Sequence, residues 1–292
     1  MAKSVADAFN QFHDNKLALT QAQQTKVDQR FARATELLRA AFPTASGLPI
    51  ADVRLIGSAA RGTIIRPLND LDVLARFANK EGVFEKYRHD SQAFLYRVTN
   101  AIKARTEVKQ VGARGQAVRL FYTDDLHVDI APVFAWTEGG YGLPSGDGSW
   151  ITTDPPKQNG WLEERHMQLG RQLKRKVRFL KRWNQEHSAR LASFHLEVMT
   201  ASTFSSLGRD TRAALRVFFE NASLFLDVQD PAGYGGELSS YLSSSARSGV
   251  IQSFAAAAER VEKAILAEAV GNHEEALRLW RIVLGPEVPA YG

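Results

Sequence analysis

Hydrophobic residues recur at helical spacing near the start of the chain. Val5, Phe9 and Phe12 are separated by four and three residues, and the same periodicity holds from residue 27 to residue 38. This spacing places the apolar side chains on one stripe of a helix. A segment that contains two prolines and a glycine, 43–49, ends the pattern. We therefore predict that the first forty residues are helical.

Short stretches of alternating or β-branched residues come next. They predict strands at 53–56, 71–74, 107–111, 118–122 and 126–130. A helical pattern over 82–105 separates the second strand from the third. Segment 139–159 is rich in Gly, Pro and Asp and predicts a loop with a short strand at 150–152. Together these elements predict a mixed β-sheet core.

Beyond residue 160 the pattern is helical, and Asp230–Gly236 is its clear interruption. The predicted helices are 161–187, 194–206, 208–226, 238–270 and 272–283. We predict an α+β fold with two domains. Residues 1–160 would form an N-terminal helix and the sheet core, and 161–292 a C-terminal helical lobe packed against that core. A cleft between two such lobes is a natural place for a ligand.

Composition excludes several kinds of chemistry. The 292 residues are 44% hydrophobic and 24% charged, as in globular proteins. The absence of cysteine excludes disulfides, zinc–thiolate sites, iron–sulfur clusters and cysteine nucleophiles. No apolar run is long enough to cross a membrane, and the N-terminus lacks a signal-peptide pattern. We expect a cytoplasmic protein with no membrane partner. The net charge of +5 suits phosphate binding if it is concentrated locally.

Gly57 and Ser58 follow the first predicted strand directly and precede a short helical turn. Glycine permits close approach of the backbone to a ligand. The start of a helix offers free N–H groups, and the serine adds a hydroxyl. Gly57 and Ser58 are therefore candidate nucleotide-binding residues, and neither GxxxxGK[ST] nor GxGxxG occurs in the chain.

Asp70 and Asp72 occupy alternate positions of the second predicted strand, so both carboxylates point to one side. An isolated Asp-x-Asp is also typical of a solvated strand edge. Asp129 lies on a later strand and is the best third carboxylate, whereas Asp124 and Asp125 suit the preceding turn.

Carboxylates beside a triphosphate suit Mg²⁺, with Mn²⁺ as a substitute. A pair of such ions about 3.5–4 Å apart serves hydroxyl attack and pyrophosphate release. We predict Asp70, Asp72 and Asp129 as catalytic metal ligands.

Together these motifs resemble those of the polymerase-β-like nucleotidyltransferase superfamily, and within it the bacterial cGAS/DncV-like nucleotidyltransferases of the oligoadenylate-synthase-like branch. The matching segments, in the expected order, are Gly57-Ser58, Arg61–Thr63, Asn69–Val73, Val128–Pro132, Val177–Asn184 and Ser193–Glu197. The resemblance implies a bilobal fold and two magnesium ions. It also implies synthesis of a cyclic di- or trinucleotide from ATP, GTP or other NTPs, with release of pyrophosphate, for antiphage signalling.

The densest basic run is 171–183, where Lys174, Arg178 and Lys181 form a stripe at helical spacing. Such a stripe is by default a solvated face. Opposite three carboxylates it would instead neutralise a triphosphate. The resemblance points to Lys181 as the triphosphate lysine, with Lys174 as a second candidate. Phe194 falls where relatives place an aromatic ring against the donor base, and a core position is the alternative.

The missing cysteines also exclude the zinc insertion with which animal relatives sense nucleic acid. We therefore expect that nucleic acid is not required, although Arg61, Arg66, Arg114 and Arg119 are candidates for a nucleic-acid surface. Segment 285–292 predicts an exposed tail. A regulatory protein partner is expected, or a conjugating one acting through this tail, since some family members are conjugated to targets through their C-terminal residue and Gly292 permits it.

Two other functions stay open at this point. One is a transferase that moves a single nucleotide onto tRNA, a protein or a small molecule. The other is a catalytically inactive module that binds a nucleotide or RNA.

Overall fold

The structure, a computed structural model, describes residues 2–104, 110–124, 126–188 and 190–292. Asp125 and residues 107–109 of the predicted third strand lie outside the described residues.

The described strands all lie before residue 154, interspersed with four α-helices, and the described regular elements after residue 154 are helices. The helices are α1 Val5–Phe12, α2 Gln21–Ala41, α3 Gly57–Ala60, α4 Ser91–Lys103, α5 Pro155–Gln168, α6 Leu173–Glu186, α7 Ser193–Thr203, α8 Thr211–Asn221, α9 Ser244–Ala269 and α10 His273–Leu284. The strands are β1 Ile50–Ile56, β2 Asp70–Phe77, β3 Gln110–Arg114, β4 Ala117–Phe121, β5 His127–Ala135, β6 Tyr141–Pro144 and β7 Trp150–Thr153.

The strands form one mixed sheet in the order β1-β2-β5-β4-β3, and β6 joins β5 to β7. Strands β2 and β5 are parallel, whereas the other pairs are antiparallel. The parallel pair lies centrally and its inward side chains are fully buried, as Leu71, Val73, Val128 and Ile130 show. The first residues of both central strands therefore lie side by side.

The chain divides into two compact units. One, called here the sheet unit, comprises Gln21–Arg61 and Pro67–Asn159. The other, the helical unit, comprises Met1–Thr20, Gly62–Arg66 and Gly160–Gly292. The division differs from the predicted domains 1–160 and 161–292 because two early segments belong with the helices.

An aromatic cluster fills the interior of the sheet unit. Phe94 packs against Phe77 and Phe134, with ring centroids 5.2 and 4.7 Å apart. Trp150 lies beside this group at 5.6 Å from Phe94. These contacts fix α4 on one face of the sheet.

The N-terminal helix packs in the helical unit because its apolar stripe finds aromatic partners there. Phe9 stacks on Phe179 of α6 at 5.1 Å and meets the edge of Trp280 of α10 at 4.8 Å. Ring pairs of this kind add about 0.5–1.5 kcal/mol to simple burial. The periodicity in the sequence predicts the helix, whereas its partners are more than a hundred residues away along the chain.

Several boundaries differ from the sequence prediction, three of them clearly. The helix predicted over 161–187 is two helices, because Gly170 and Arg171 adopt left-handed backbone conformations with φ of 62° and 59°. The helix predicted over 82–105 begins only at Ser91. Strand β6 falls inside the predicted loop.

The C-terminal tail is anchored, although most of its side chains are exposed. Val288 is buried, and the Ala2 N–H donates to the Ala290 carbonyl at 2.9 Å. The Gly292 N–H donates to the Ala2 carbonyl at 3.2 Å. The predicted exposure of the tail is therefore wrong at Val288. Across the described part of the chain, every helix is too short or too polar to span a membrane.

Candidate active site

Gly57 directly follows strand β1, and the local packing requires a glycine at this position. Gly57 has a φ of 67°, and a side-chain Cβ placed there would overlap the carboxylate of Asp72. The register explains the proximity, because Ile56 pairs with Asp72 across β1 and β2. The sequence suggests that Gly57 lets a ligand approach the backbone; in the structure the Asp72 side chain makes this approach. Ser58 is half-buried in the single helical turn that follows.

The three predicted carboxylates lie together at the start of the parallel strand pair. Asp72 pairs in register with Asp129, and Asp70 pairs with His127. Alternation then places all four side chains on one face of the sheet. Strand pairing between distant segments therefore assembles the cluster.

Burial and like charge act together on Asp72. Desolvation raises its pKa first, and the neighbouring carboxylates of Asp70 and Asp129 raise it further, to about 6. Arg61 and Arg119 oppose the shift. A carboxyl group held between two others is stabilised in its charged form by an added cation.

Arg119 supplies positive charge within the cluster. It stands opposite Asp129 in the β4–β5 register. Its Nε donates to Asp129 Oδ1 at 2.6 Å, and its terminal nitrogen donates to Oδ2. The same nitrogen is 3.7 Å from Asp70 Oδ2. The hydrogen bonds to Asp129 raise the pKa of Arg119 further above its ordinary value.

Sequence reasoning missed this contact and considered Arg119 only as part of a nucleic-acid surface. The one available signal is its alternate position on a predicted strand. That signal does not reveal the partner, because strand order is a long-range property. Arg114 was considered for the same surface, and nothing is described of its side chain.

Lys181 of the helical unit lies in a buried network. Its side chain is 6% exposed and forms an ion pair with Glu197, which is fully buried. Thr63 connects the two, donating to Glu197 Oε1 at 2.7 Å and accepting from Lys181 Nζ at 3.3 Å. Binding of a triphosphate by Lys181 stays a prediction, and it would require this pair to open.

The other two stripe residues also hold local partners. Arg178 donates to the Gly62 carbonyl at 2.8 Å and contacts His13 Nε2 at 3.2 Å. Lys174 forms an ion pair with Glu163, whose side chain is 53% exposed. Lys174 therefore leaves its ion pair more easily than Lys181 does, since exposed ion pairs contribute little to folding stability.

Phe194 is half-buried in the first turn of α7. The adjacent His195 is fixed by a hydrogen bond to the Leu226 carbonyl at 2.7 Å and by the Tyr241 hydroxyl at 3.0 Å. Burial lowers the pKa of His195. The contact of Phe194 with a donor base stays a prediction.

Residues 3–166, more than half of the chain, match the Second Messenger Oligonucleotide or Dinucleotide Synthetase domain. The chain belongs to this family. A probable cyclic nucleotide synthase of Bacillus cereus (strain VD146) is 26% identical over 270 residues, which cover 80% of this chain and 81% of that protein.

Solved structures share the fold of this synthetase. CdnC of E. coli MS115-1, in its complex with HORMA-deltaN, matches with a TM-score of 0.80 at 19% identity, over 97% of this chain and 98% of that one. The Vibrio cholerae DncV cyclic AMP-GMP synthase, in complex with the linear intermediate 5′ pppA(3′,5′)pG, matches with a TM-score of 0.76 at 15% identity, over 99% and 97%.

These findings confirm the resemblance to bacterial cGAS/DncV-like nucleotidyltransferases and the α+β nucleotidyltransferase fold. They also confirm the prediction of an enzyme, a nucleotidyltransferase that makes cyclic oligonucleotides. The two alternative functions are thereby disfavoured.

The carboxylate cluster of the synthetase fits the divalent cations that the family implies. Asp70, Asp72 and Asp129 offer hard oxygen ligands on one face, and the raised pKa of Asp72 indicates that negative charge there is under-compensated. Within the described residues, no three His, Cys, Asp or Glu side chains are arranged to hold a metal as they stand. Both Asp129 oxygens are instead engaged by Arg119.

Proposed function

We propose that this synthetase joins ATP, GTP or other NTPs into a cyclic di- or trinucleotide, with Mg²⁺ as its cofactor and pyrophosphate as the by-product. The observation that carries the proposal is the cluster of Asp70, Asp72 and Asp129 on one sheet face, with the pKa of Asp72 raised to about 6. Such a cluster supplies the hard oxygen ligands that divalent cations prefer. The resemblance supports two Mg²⁺ ions, with Mn²⁺ as a substitute, and a role in antiphage signalling.

Asp70, Asp72 and Asp129 would hold the cations. When bound, these ions supply charge stabilisation for the transferred phosphate and lower the pKa of the attacking hydroxyl.

The protein's own groups then bind and orient the substrates. The Gly57-Ser58 turn would bind the donor triphosphate through its backbone N–H groups and the serine hydroxyl, with a lysine of α6, Lys181 or Lys174, as counter-charge. Phe194 would contact the donor base. A ribose hydroxyl of the acceptor attacks the α-phosphorus, the bond to pyrophosphate breaks, and Asp129 favours loss of the hydroxyl proton. The linear intermediate then reverses its orientation in the site for the ring-closing step.

A protein partner is also proposed. The E. coli relative was solved in a complex with HORMA-deltaN, and this supports a regulatory protein partner.

The decisive experiment compares products from all four NTPs by mass spectrometry, with and without Mg²⁺. We expect a phosphatase-resistant cyclic nucleotide from the wild type and none from Asp70→Asn plus Asp72→Asn. Asp28→Asn removes an exposed carboxylate of α2 and should leave the product unchanged. An unchanged yield from the double variant would contradict the proposal, and label on tRNA or protein would favour single-nucleotide transfer.

A further inference from the structure

Arg119 contacts two carboxylates of the site, those of Asp129 and Asp70. Its side chain is 11% exposed, whereas the side chain of Asp70 is 56% exposed. Both oxygens of Asp129 accept hydrogen bonds from it, and Asp70 lies within ion-pair distance. A bidentate arginine–carboxylate pair is among the strongest charged hydrogen bonds in proteins.

We propose that Arg119 is a built-in counter-cation of the metal-free enzyme, and that it must release Asp129 before a divalent cation can bind there. Arg119 thereby sets the metal affinity of the site. This inference rests on the proposed function, because it takes Asp70, Asp72 and Asp129 as the metal ligands.

The electrostatics favour competition. Three carboxylates at the start of two paired strands repel one another, and the guanidinium compensates Asp129 and part of Asp70. A divalent cation bound to the same oxygens would meet this fixed positive charge at contact distance. Arginine stays protonated throughout the usable pH range, so a change of rotamer, and not proton loss, must open the pair.

One guanidinium faces the three carboxylates of the cluster, and it contacts only Asp129 and Asp70. A divalent cation on the same oxygens would supply the remaining positive charge and free Arg119.

The test measures metal binding without nucleotide, by titration calorimetry with Mg²⁺ and by electron paramagnetic resonance with Mn²⁺. R119Q removes the competing charge, and we expect its metal dissociation constant to fall by about tenfold or more. Its metal-free melting temperature should also fall, since the carboxylates lose their partner, and excess Mg²⁺ should restore it.

Two further variants separate this inference from simpler explanations. R76Q removes a positive charge from the same sheet face, about 13 Å farther along β2 than Asp72, and should leave the metal affinity nearly unchanged. R119K keeps the charge but cannot form the bidentate pair, so its affinity should lie between those of the wild type and R119Q. If R119Q does not fold, R119K answers the same question.

Unchanged or weaker metal binding by R119Q, or by R119K when R119Q does not fold, overturns the inference. An equal gain in R76Q also overturns it, because net charge alone would then explain the effect. Failure of the proposed function is recognised separately. In that case Asp70→Asn plus Asp72→Asn would bind metal as well as the wild type in the same titration.

Discussion

Asp72 is the residue at which burial and neighbouring charge act in the same direction. Both raise its pKa, to about 6, above the ordinary value of 3.8. Between about pH 4 and pH 6, the folded metal-free protein therefore keeps a proton on Asp72, whereas Asp72 of the unfolded chain is already ionised. The contribution of Asp72 to folding stability decreases as the pH rises from about 4 to 6.

Asp72→Asn should stabilise the metal-free protein at pH 8, by up to about 3 kcal/mol, because the amide carries no charge to desolvate. Below pH 4 the variant and the wild type should be nearly equal. Urea unfolding with a chelator present, at pH 3.8 and pH 8, measures the difference. A variant that is less stable than the wild type at pH 8 would contradict this account. Addition of Mg²⁺ should stabilise the wild type more than the variant.

Gly57 is the second residue with a sharp expectation. Alanine there combines a left-handed φ of 67° with overlap of the Asp72 carboxylate. We expect Gly57→Ala to cost at least about 1 kcal/mol of folding stability and to abolish product formation, because Asp72 must move. Gly47→Ala is the matched control, since no atom lies within 4 Å of its added Cβ. Equal unfolding midpoints for both variants would refute the steric argument.

At the scale of elements, α6 holds the Gly62–Arg66 segment within the helical unit. Arg178 binds the Gly62 carbonyl, and the Lys181–Glu197 pair holds Thr63. The sequence predicts the basic stripe, and the structure buries the neighbouring Leu173, Val177 and Leu180 fully. It does not predict that the stripe engages carbonyl, hydroxyl and carboxylate groups of the helical unit itself.

A double-mutant cycle tests the network around Lys181. Lys181→Met or Glu197→Leu alone should cost about 3–5 kcal/mol, because each removes one member of a buried ion pair. The combined variant should lose much less than the sum, and Lys174→Gln should lose under about 1 kcal/mol. Additive losses in urea unfolding would show that the pair is not coupled.

Strand β6 shows where pattern reasoning fails at this scale. This strand requires glycine at position 142, because a Cβ there would overlap the ring of Trp136. In a local sequence pattern glycine indicates a loop, whereas here it leaves space for an aromatic ring of the same sheet unit. The strands β1, β2, β4 and β5 carry clear alternation and were predicted within a few residues of their observed positions. The same limit hid Arg119, whose partner depends on strand order.

For the whole molecule, local periodicity predicts α1 but not the unit to which it belongs. Its stripe contacts Phe179 and Trp280, which only the folded chain brings near. The fold class was accessible because the local periodicity of each segment predicts its elements, and the three carboxylates were accessible because each occupies an alternating position of a predicted strand. The division into units was not accessible, because it depends on contacts across the whole chain.

Phe9→Ala should destabilise the protein by about 3–5 kcal/mol, because it leaves a cavity between α6 and α10. Tyr96→Ala is the matched aromatic control, since Tyr96 is 55% exposed and should cost under about 0.5 kcal/mol. The two variants are compared by their urea midpoints. A loss at Phe9 no larger than that at Tyr96 would refute the packing role of α1.

The position of α1 affects the order in which the nascent chain can fold. On the ribosome, Phe9 emerges early, but Trp280 is added 271 residues later. At a synthesis rate of roughly 5–20 residues per second, Trp280 is added about 15–55 seconds after Phe9. All residues of the sheet unit precede residue 160, so this unit can fold before Trp280 is added. Until Trp280 has been added, the apolar stripe of α1 therefore lacks one of its two aromatic partners.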